Sequence, residues 1–318
     1  MTKIVVVHKT GFYDPEVIKK KLTGFDVDYF ALDSISEEDL AQKVADSEFL
    51  MLNNEVVGNL THTFYDALKA IKSPLKHISV DLTAYEWASE ALARKAGITI
   101  SNVPHYGTQG VAEYTMTTIL QVLKKLHLYN LTVDKSAPLA NTLTEDVRGK
   151  TLGIIGLGKI GEEVASIAQG FKMKVIGWNR TPKTVEGVKN VELDRLIQNS
   201  DVITIHLTTN EDTQKLFSYD LFKKATKKPY LFNHTSGTLL DEDMILRLLN
   251  EEVIRCYATS RNFTSKKELQ EHEHCISFPY QGWFTSQSML NLEDTWVDNT
   301  IQATKGIDVN LIGSTSSE

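Results

Sequence analysis

The chain has 318 residues, 42% hydrophobic and 24% charged, with a formal net charge of −7. That composition excludes a disordered or collagen-like chain and supplies apolar material for more than one core, so two domains are expected. The acidic balance excludes nucleic-acid binding by general phosphate neutralisation, and two cysteines, Cys256 and Cys275, are too few for a disulfide framework.

The apolar run 4–7 is too short for a signal-peptide core or a membrane span, and no later segment reaches spanning length without charge. The expectation is a cytoplasmic protein with no membrane partner. Short β-branched runs then alternate with amphipathic ones. Strands are predicted at 4–7, 27–30, 49–52, 77–80 and 98–101, with helices at 16–22, 37–44 and 87–96. A long helix is predicted over 110–131, with Val111, Tyr114, Ile119, Leu123 and Leu126 at helical spacing. Residues 132–150 are polar and weakly periodic and read as a connection. The alternation then restarts with a strand at 152–155, a helix at 160–171, and strands at 174–177, 202–205, 230–232 and 253–257. Helices at 242–249 and 286–304 complete the pattern. Strand followed by helix, repeated, gives parallel βαβ units, hence an α/β fold.

Gly156-Leu157-Gly158-Lys159-Ile160-Gly161 lies directly between the strand at 152–155 and the helix that follows. In that setting Gly156 allows the tight turn, Gly158 lets a pyrophosphate approach the backbone, and Gly161 lets helix and strand pack closely. Free amides near Lys159 and Ile160 then face the phosphates, favoured by the helix dipole. At the end of the second strand a unit of this kind that takes NAD places an Asp or Glu on the ribose. Here the residues are Trp178-Asn179-Arg180-Thr181. A carboxylate would repel a 2′-phosphate, whereas Asn179, Arg180 and Thr181 accept one. NADP(H) is therefore the preferred cofactor and NAD(H) a possible one.

Beyond the glycine loop, further motifs occur in a fixed order: Ser101-Asn102-Val103-Pro104, Val111-Ala112-Glu113-Tyr114, Gly149-Lys150-Thr151-Leu152-Gly153, the run 201–207 with Thr213 after it, and Asn233, Gly237 and Asp241. In these the chain resembles the D-isomer-specific 2-hydroxyacid dehydrogenases over almost its whole length. The resemblance implies a Rossmann-type doubly wound domain at 104–286 and a smaller flavodoxin-like domain built from 1–103 and 287–318. It also implies a homodimer, a small-molecule substrate, an active site in the cleft, and a cofactor-binding set that includes His206, Thr208 and Thr213.

The family's chemistry uses a histidine that protonates the substrate carbonyl, a glutamate that raises its pKa, and an arginine that binds the substrate carboxylate. Carried over by motif, the arginine position holds Ser236 and the histidine position, after Pro279, holds Tyr280. Thr259 and Thr264 stand where the family has its Asp and Glu. Tyr280 and Ser236 are the candidate catalytic residues, with Tyr280 the replacement proton donor; His234 lies close by. The stretch 78–85 resembles the family's carboxylate-binding loop, but Ala84 replaces a glycine and Asp81 introduces a charge that would repel a 2-oxo acid. The expected function is an NAD(P)-dependent oxidoreductase acting on a carbonyl or CH–OH group, with altered substrate and proton donor. The alternative is a catalytically silent cofactor-binding sensor or interaction protein. His272 and His274, interleaved with Glu271 and Glu273 ahead of Cys275, read as a solvated loop, and no metal is expected.

Overall fold

Ile4, Val5, Val6 and Val7 are all fully buried. Because alternate side chains of a strand point to opposite faces, that run must be covered on both sides, the condition of a parallel strand inside an α/β layer. The computed structural model describes residues 1–126, 143–235, 239–260 and 265–312. The chain forms two units, Met1–Gly107 with Ser286–Glu318, and Thr108–Thr285. Their boundaries fall at 107/108 and 285/286, against the expected 103/104 and 286/287.

In the first unit the strands are β1 (Lys3–Lys9), β2 (Asp26–Leu32), β3 (Phe49–Leu52), β4 (His77–Val80) and β5 (Thr99–Ser101), ordered β2-β1-β3-β4-β5 and all parallel. Val5, Val7, Leu50, Leu52, Ile78 and Val80 pack on one face with the helix His62–Ala70. Ile4, Val6, Phe49 and Met51 pack on the other with Trp296 of the helix Ser286–Thr304. Trp296 is fully buried, and its indole N–H donates to the carbonyl of Ser79 at 2.8 Å. That bond satisfies the one polar atom of the indole.

The second unit carries β6 (Thr151–Ile155), β7 (Lys174–Trp178), β8 (Val188–Asn190), β9 (Val202–Ile205), β10 (Tyr230–Asn233), β11 (Cys256–Ser260) and β12 (Cys275–Phe278). Their order is β12-β11-β10-β9-β6-β7-β8, again all parallel. One apolar cluster, with Leu152, Ile154, Val175 and Phe232, covers one face; another, with Ile155, Ile203, Ile205 and Leu231, covers the other. This is the doubly wound arrangement, with its winding reversal at β6 between β7 and β9. Among the described residues no helix is long and apolar enough to cross a membrane.

Several sequence expectations are corrected. The predicted helix at 87–96 is confined to Glu90–Lys95, because Ser89 sits in the left-handed region at φ 49° and breaks it from the short 3₁₀ turn before it. The predicted helix at 110–131 runs over Thr108–Leu123 and is followed by Lys125 at φ 53°; residues 127–142 lie outside the described residues. β11 begins at Cys256, not at 253, because Val253 and Ile254 complete the turn in which Glu252 takes φ 53°. The helix His62–Ala70 and the strands β8 and β12 were not anticipated.

Replacing Trp296 by Ala should lower the stability of the first unit by about 3–5 kcal/mol, since it removes a fully buried indole and leaves a cavity under the sheet. Urea unfolding followed by circular dichroism checks this. A loss below about 1 kcal/mol would show that the helix is held by something else.

Candidate functional site

The turn that leaves β6 is built from three glycines that are required for different reasons. Gly156 has φ 101°, and a Cβ on it would lie 2.5 Å from the carbonyl oxygen of His206. A Cβ on Gly161 would lie 2.1 Å from the carbonyl oxygen of Gly156. Both positions therefore need glycine for the fold. Gly158 does not: its backbone is extended, and a Cβ there would meet nothing within 4 Å. Among the described residues nothing crowds a side chain at 158, so the backbone there lies open to a ligand. Gly158 is also the N-cap of the helix Lys159–Gly170 and offers no side-chain cap, so the first amides of that helix are left to other partners.

Around this cradle Asn179 accepts from the amide of Leu157 at 3.3 Å and donates to the carbonyl of Thr181 at 2.9 Å, joining the loop tip to the turn after β7. Arg180 is largely exposed, with its guanidinium 3.6 Å from Asp212 across the rim. Such an exposed pair is weak and leaves the cation ready to exchange partners. The Thr213 hydroxyl donates to the carbonyl of Thr208 at 2.8 Å and takes part in a capping box with Asn210, so it shapes the loop after β9. The residues expected at the cofactor site, Gly156, Gly158, Lys159, Ile160, Gly161, Asn179, Arg180, Thr181, His206, Thr208 and Thr213, thus belong to the turns after the carboxyl ends of β6, β7 and β9 and to the first turns of the helices that follow. That edge, at the winding reversal, is where open α/β sheets bind ligands.

The same edge continues along the neighbouring strands. Ile205 pairs with Ile155 and with Asn233, Asn233 with Thr259, and Ser260 with Phe278. The register sets Gly156, His206, His234 and Ser260 side by side. The Nε2 of His234 lies 2.8 Å from the Thr118 hydroxyl and its Nδ1 3.0 Å from the Ser260 hydroxyl. Thr118 already donates its proton to the carbonyl of Thr115, so Nε2 carries the hydrogen and Nδ1 accepts from Ser260. Burial pulls the His234 pKa down to about 4. Burial, with His234 as a further cause, pulls His206 to about 3. Both rings are neutral at physiological pH, and neither nitrogen of His234 is available as an acid. Ser260, not Thr259, is the residue that reaches this edge.

Tyr280 follows β12 on a segment strapped to the helix Thr108–Leu123. The Tyr114 hydroxyl donates to the carbonyl of Pro279, and the Tyr114 ring closes against Gly282. Burial raises the Tyr280 phenol above its ordinary pKa, which favours its neutral form. Ser236 and Gly237 of the Asn233 motif, and Thr264, lie outside the described residues. His272 and His274 have ring centroids 5.8 Å apart, and among the described residues no group of three metal-ligating side chains occurs. Thr118 and Ser260 carry no mark in the sequence, because their roles depend on strand register and helix packing.

The family profile described as D-isomer specific 2-hydroxyacid dehydrogenase, NAD binding domain, matches residues 116–282, more than half of the chain. The chain belongs to the D-isomer-specific 2-hydroxyacid dehydrogenase family. Family members are oxidoreductases acting on small molecules with a nicotinamide cofactor, and the cradle at Gly158 fits that group. A hydroxypyruvate reductase of Blautia hydrogenotrophica is 26% identical over 253 residues, covering 75% of this chain and 78% of that protein. A glycerate dehydrogenase of Methylorubrum extorquens is 26% identical over 331 residues, covering 98% and 99%. Among solved structures, an acyclic imino acid reductase in complex with NADPH and D-arginine superimposes with a TM-score of 0.83 at 25% identity, covering 98% of this chain and 100% of that one.

Two substitutions separate a folding role from a binding role. Gly161→Ala should destabilise the second unit by about 3 kcal/mol or more, because its Cβ collides with backbone. Gly158→Ala should leave stability within about 1 kcal/mol of the parent, because its Cβ meets open space, while weakening dinucleotide affinity at least about tenfold. Thermal melts paired with calorimetric titration of NADPH check both. Unchanged affinity in Gly158→Ala would show that the pyrophosphate lies elsewhere.

Proposed function

We propose that this protein is an NADPH-dependent reductase whose substrate is a small imine, read as a protonated C=N, in place of the 2-oxo acid of typical relatives. The observation that carries this reading is the loss of charge at the motif positions of the family's catalytic groups. In the sequence the arginine and histidine positions hold Ser236 and Tyr280 and Thr264 stands near the glutamate position, while at the edge where the cofactor cradle lies His206 and His234 are neutral. The likeness to an imino acid reductase that binds NADPH supports it. So do Asn179, Arg180 and Thr181, which set a cation and no carboxylate where a 2′-phosphate would sit. The homodimer and the cytoplasmic location implied by the family resemblance go with this reading.

The residues of the chain bear on the chemistry as follows. Gly158 would give the diphosphate room beside the uncapped amides at Lys159 and Ile160, and Arg180 would hold the 2′-phosphate in place of Asp212. Bound there, NADPH supplies a hydride to the unsaturated carbon. A carbonyl accepting a hydride needs an acid to protonate its oxygen, and among the described residues of this edge His206 and His234, both pulled down by burial, are not poised for that near neutral pH. A protonated imine already carries its proton on nitrogen: the C=N electron pair becomes the nitrogen lone pair as the new C–H bond forms, and a neutral amine results. An arginine would repel that cation, so serine at 236 removes a penalty. Tyr280, held as a phenol, orients the substrate by donating a hydrogen bond.

The test is NADPH oxidation with pyruvate or phenylpyruvate in the presence and absence of methylamine, which forms the imine in solution. Turnover should require the amine, and Tyr280→Phe should retain it within about threefold, since no proton passes through the phenol. Turnover of the 2-oxo acid alone that collapses in Tyr280→Phe would overturn the imine reading. Tight NADPH binding with no turnover under either condition would leave the silent sensor. Arg180→Ala should reduce the preference for NADPH over NADH by about ten- to a hundredfold, the range of a charge-assisted hydrogen bond; an unchanged preference removes the 2′-phosphate role.

A further inference from the structure

Between the helices His62–Ala70 and Glu90–Lys95 the first unit carries a groove of about 550 Å³, a size that suits a small organic molecule. Ser73, Leu75, Ala96 and Ile98 line it just before β4 and β5, so it lies at the amino ends of those strands. The loop 81–85, which resembles the family's carboxylate-binding loop, leaves the opposite end of β4. The groove belongs neither to that loop nor to the cradle at Gly158.

The inner part of its lining is apolar. Leu68, Leu75 and Ile98 are buried and Leu92 is partly so, while the Tyr65 ring is fixed by its hydroxyl, which donates to the carbonyl of Ala88 at 2.5 Å. The rim is cationic. Lys69, Lys72 and Lys95 stand there against a single aspartate, Asp66, in a chain whose net charge is −7. Among the described residues no carboxylate pairs with any of these three ammonium groups, although basic neighbours on the same flank are paired, Lys76 with Glu48 and Arg94 with Glu90. The helix dipoles account for one cation in each last turn, Lys69 and Lys95; Lys72, beyond the C-cap Ile71, adds a third charge to the same rim. An apolar lining under unanswered positive charge matches a molecule with a hydrocarbon body and an anionic head. The last turns of both helices border the groove with the negative ends of their dipoles, which disfavours a doubly charged head such as phosphate and leaves a carboxylate.

We propose that this groove binds a monocarboxylate with an aliphatic chain, its head held by Lys69, Lys72 and Lys95 and its chain laid along Leu68, Leu75, Leu92 and Ile98. The lysine stems extend the apolar lining while their heads reach the carboxylate. The inference goes beyond the reductase reading and does not depend on it, since every residue of the groove belongs to the first unit.

The test is calorimetric titration of the full-length protein at low salt with octanoate, with acetate, which has the head without the chain, and with octylammonium, which has the chain with the opposite charge. Octanoate should bind at least about tenfold tighter than either. Two variants locate the site. Lys69→Gln, Lys72→Gln and Lys95→Gln together remove the charge, and Ala96→Trp places a bulky ring at the groove with the lysines intact; each should weaken octanoate at least about tenfold. All of these positions are exposed, so thermal melts should match the parent, and if one variant melts early the other decides. No binding of octanoate, equal affinity for octanoate and octylammonium, or octanoate affinity unchanged in a variant that melts like the parent overturns the proposal. The titrations need no turnover, so their outcome leaves the imine reading untouched.

Discussion

The carboxyl edge of the seven-stranded sheet depends on how closely two stretches of backbone pass at Gly156. The amide of His206 donates to the carbonyl of Ile155 at 2.8 Å, and the carbonyl of His206 then lies where a side chain on residue 156 would have to go. Gly156 turns away at φ 101°, its own carbonyl sits against Gly161, and the helix is thereby pressed onto the strand. Any bulk at 156 or 161 would lift the helix from the sheet and carry its amino terminus away from the edge. The space beside Gly158 is a consequence of that packing. It exists because the other two glycines leave the backbone nowhere else to run.

That arrangement was legible in the sequence because each glycine answers a local demand, and the demand is visible from the flanking strand and helix alone. The strands β1 and β3 were legible for a related reason: they are buried on both faces, so they appear as unbroken apolar runs, and β4, β6 and β9 are similar runs broken by a single small or polar residue inside them. The edge strand β8, Val188-Lys189-Asn190, has no such run, because one of its sides faces solvent. β12 follows an interleaved series of His and Glu that hides a four-residue strand. Ser89 carries no sequence mark of its left-handed conformation, and it halves a helix that periodicity alone would continue.

The side chains that decide the chemistry were less legible, and the cause is sequence distance. His234 is two hydroxyls away from being free, and those hydroxyls belong to Thr118, in a helix more than a hundred residues earlier, and to Ser260, on the adjacent strand. A shift of one residue in register would exchange Ser260 for Thr259, whose side chain faces the opposite side of the sheet. Asp81 is a similar case. Its partners Tyr13 and Asn53 follow other strands, and only the parallel order β1-β3-β4 brings the three turns to one edge.

A typical member of the family sets a cation against the substrate carboxylate and an acid against the carbonyl oxygen, and both devices suit a substrate that is an anion and becomes an alkoxide. Here the corresponding positions are uncharged, the histidines at the edge are neutral, and an ionisable carboxyl is buried under the turns of the first unit. Removal of the arginine alone would weaken anion binding without favouring anything else. Placement of a carboxylate alone would leave an unanswered charge in an apolar environment, which is among the costlier arrangements a core can hold. The Tyr13 hydroxyl and the Asn53 amide reduce that cost by answering one oxygen of Asp81, and the raised pKa that burial gives this carboxyl reduces it further.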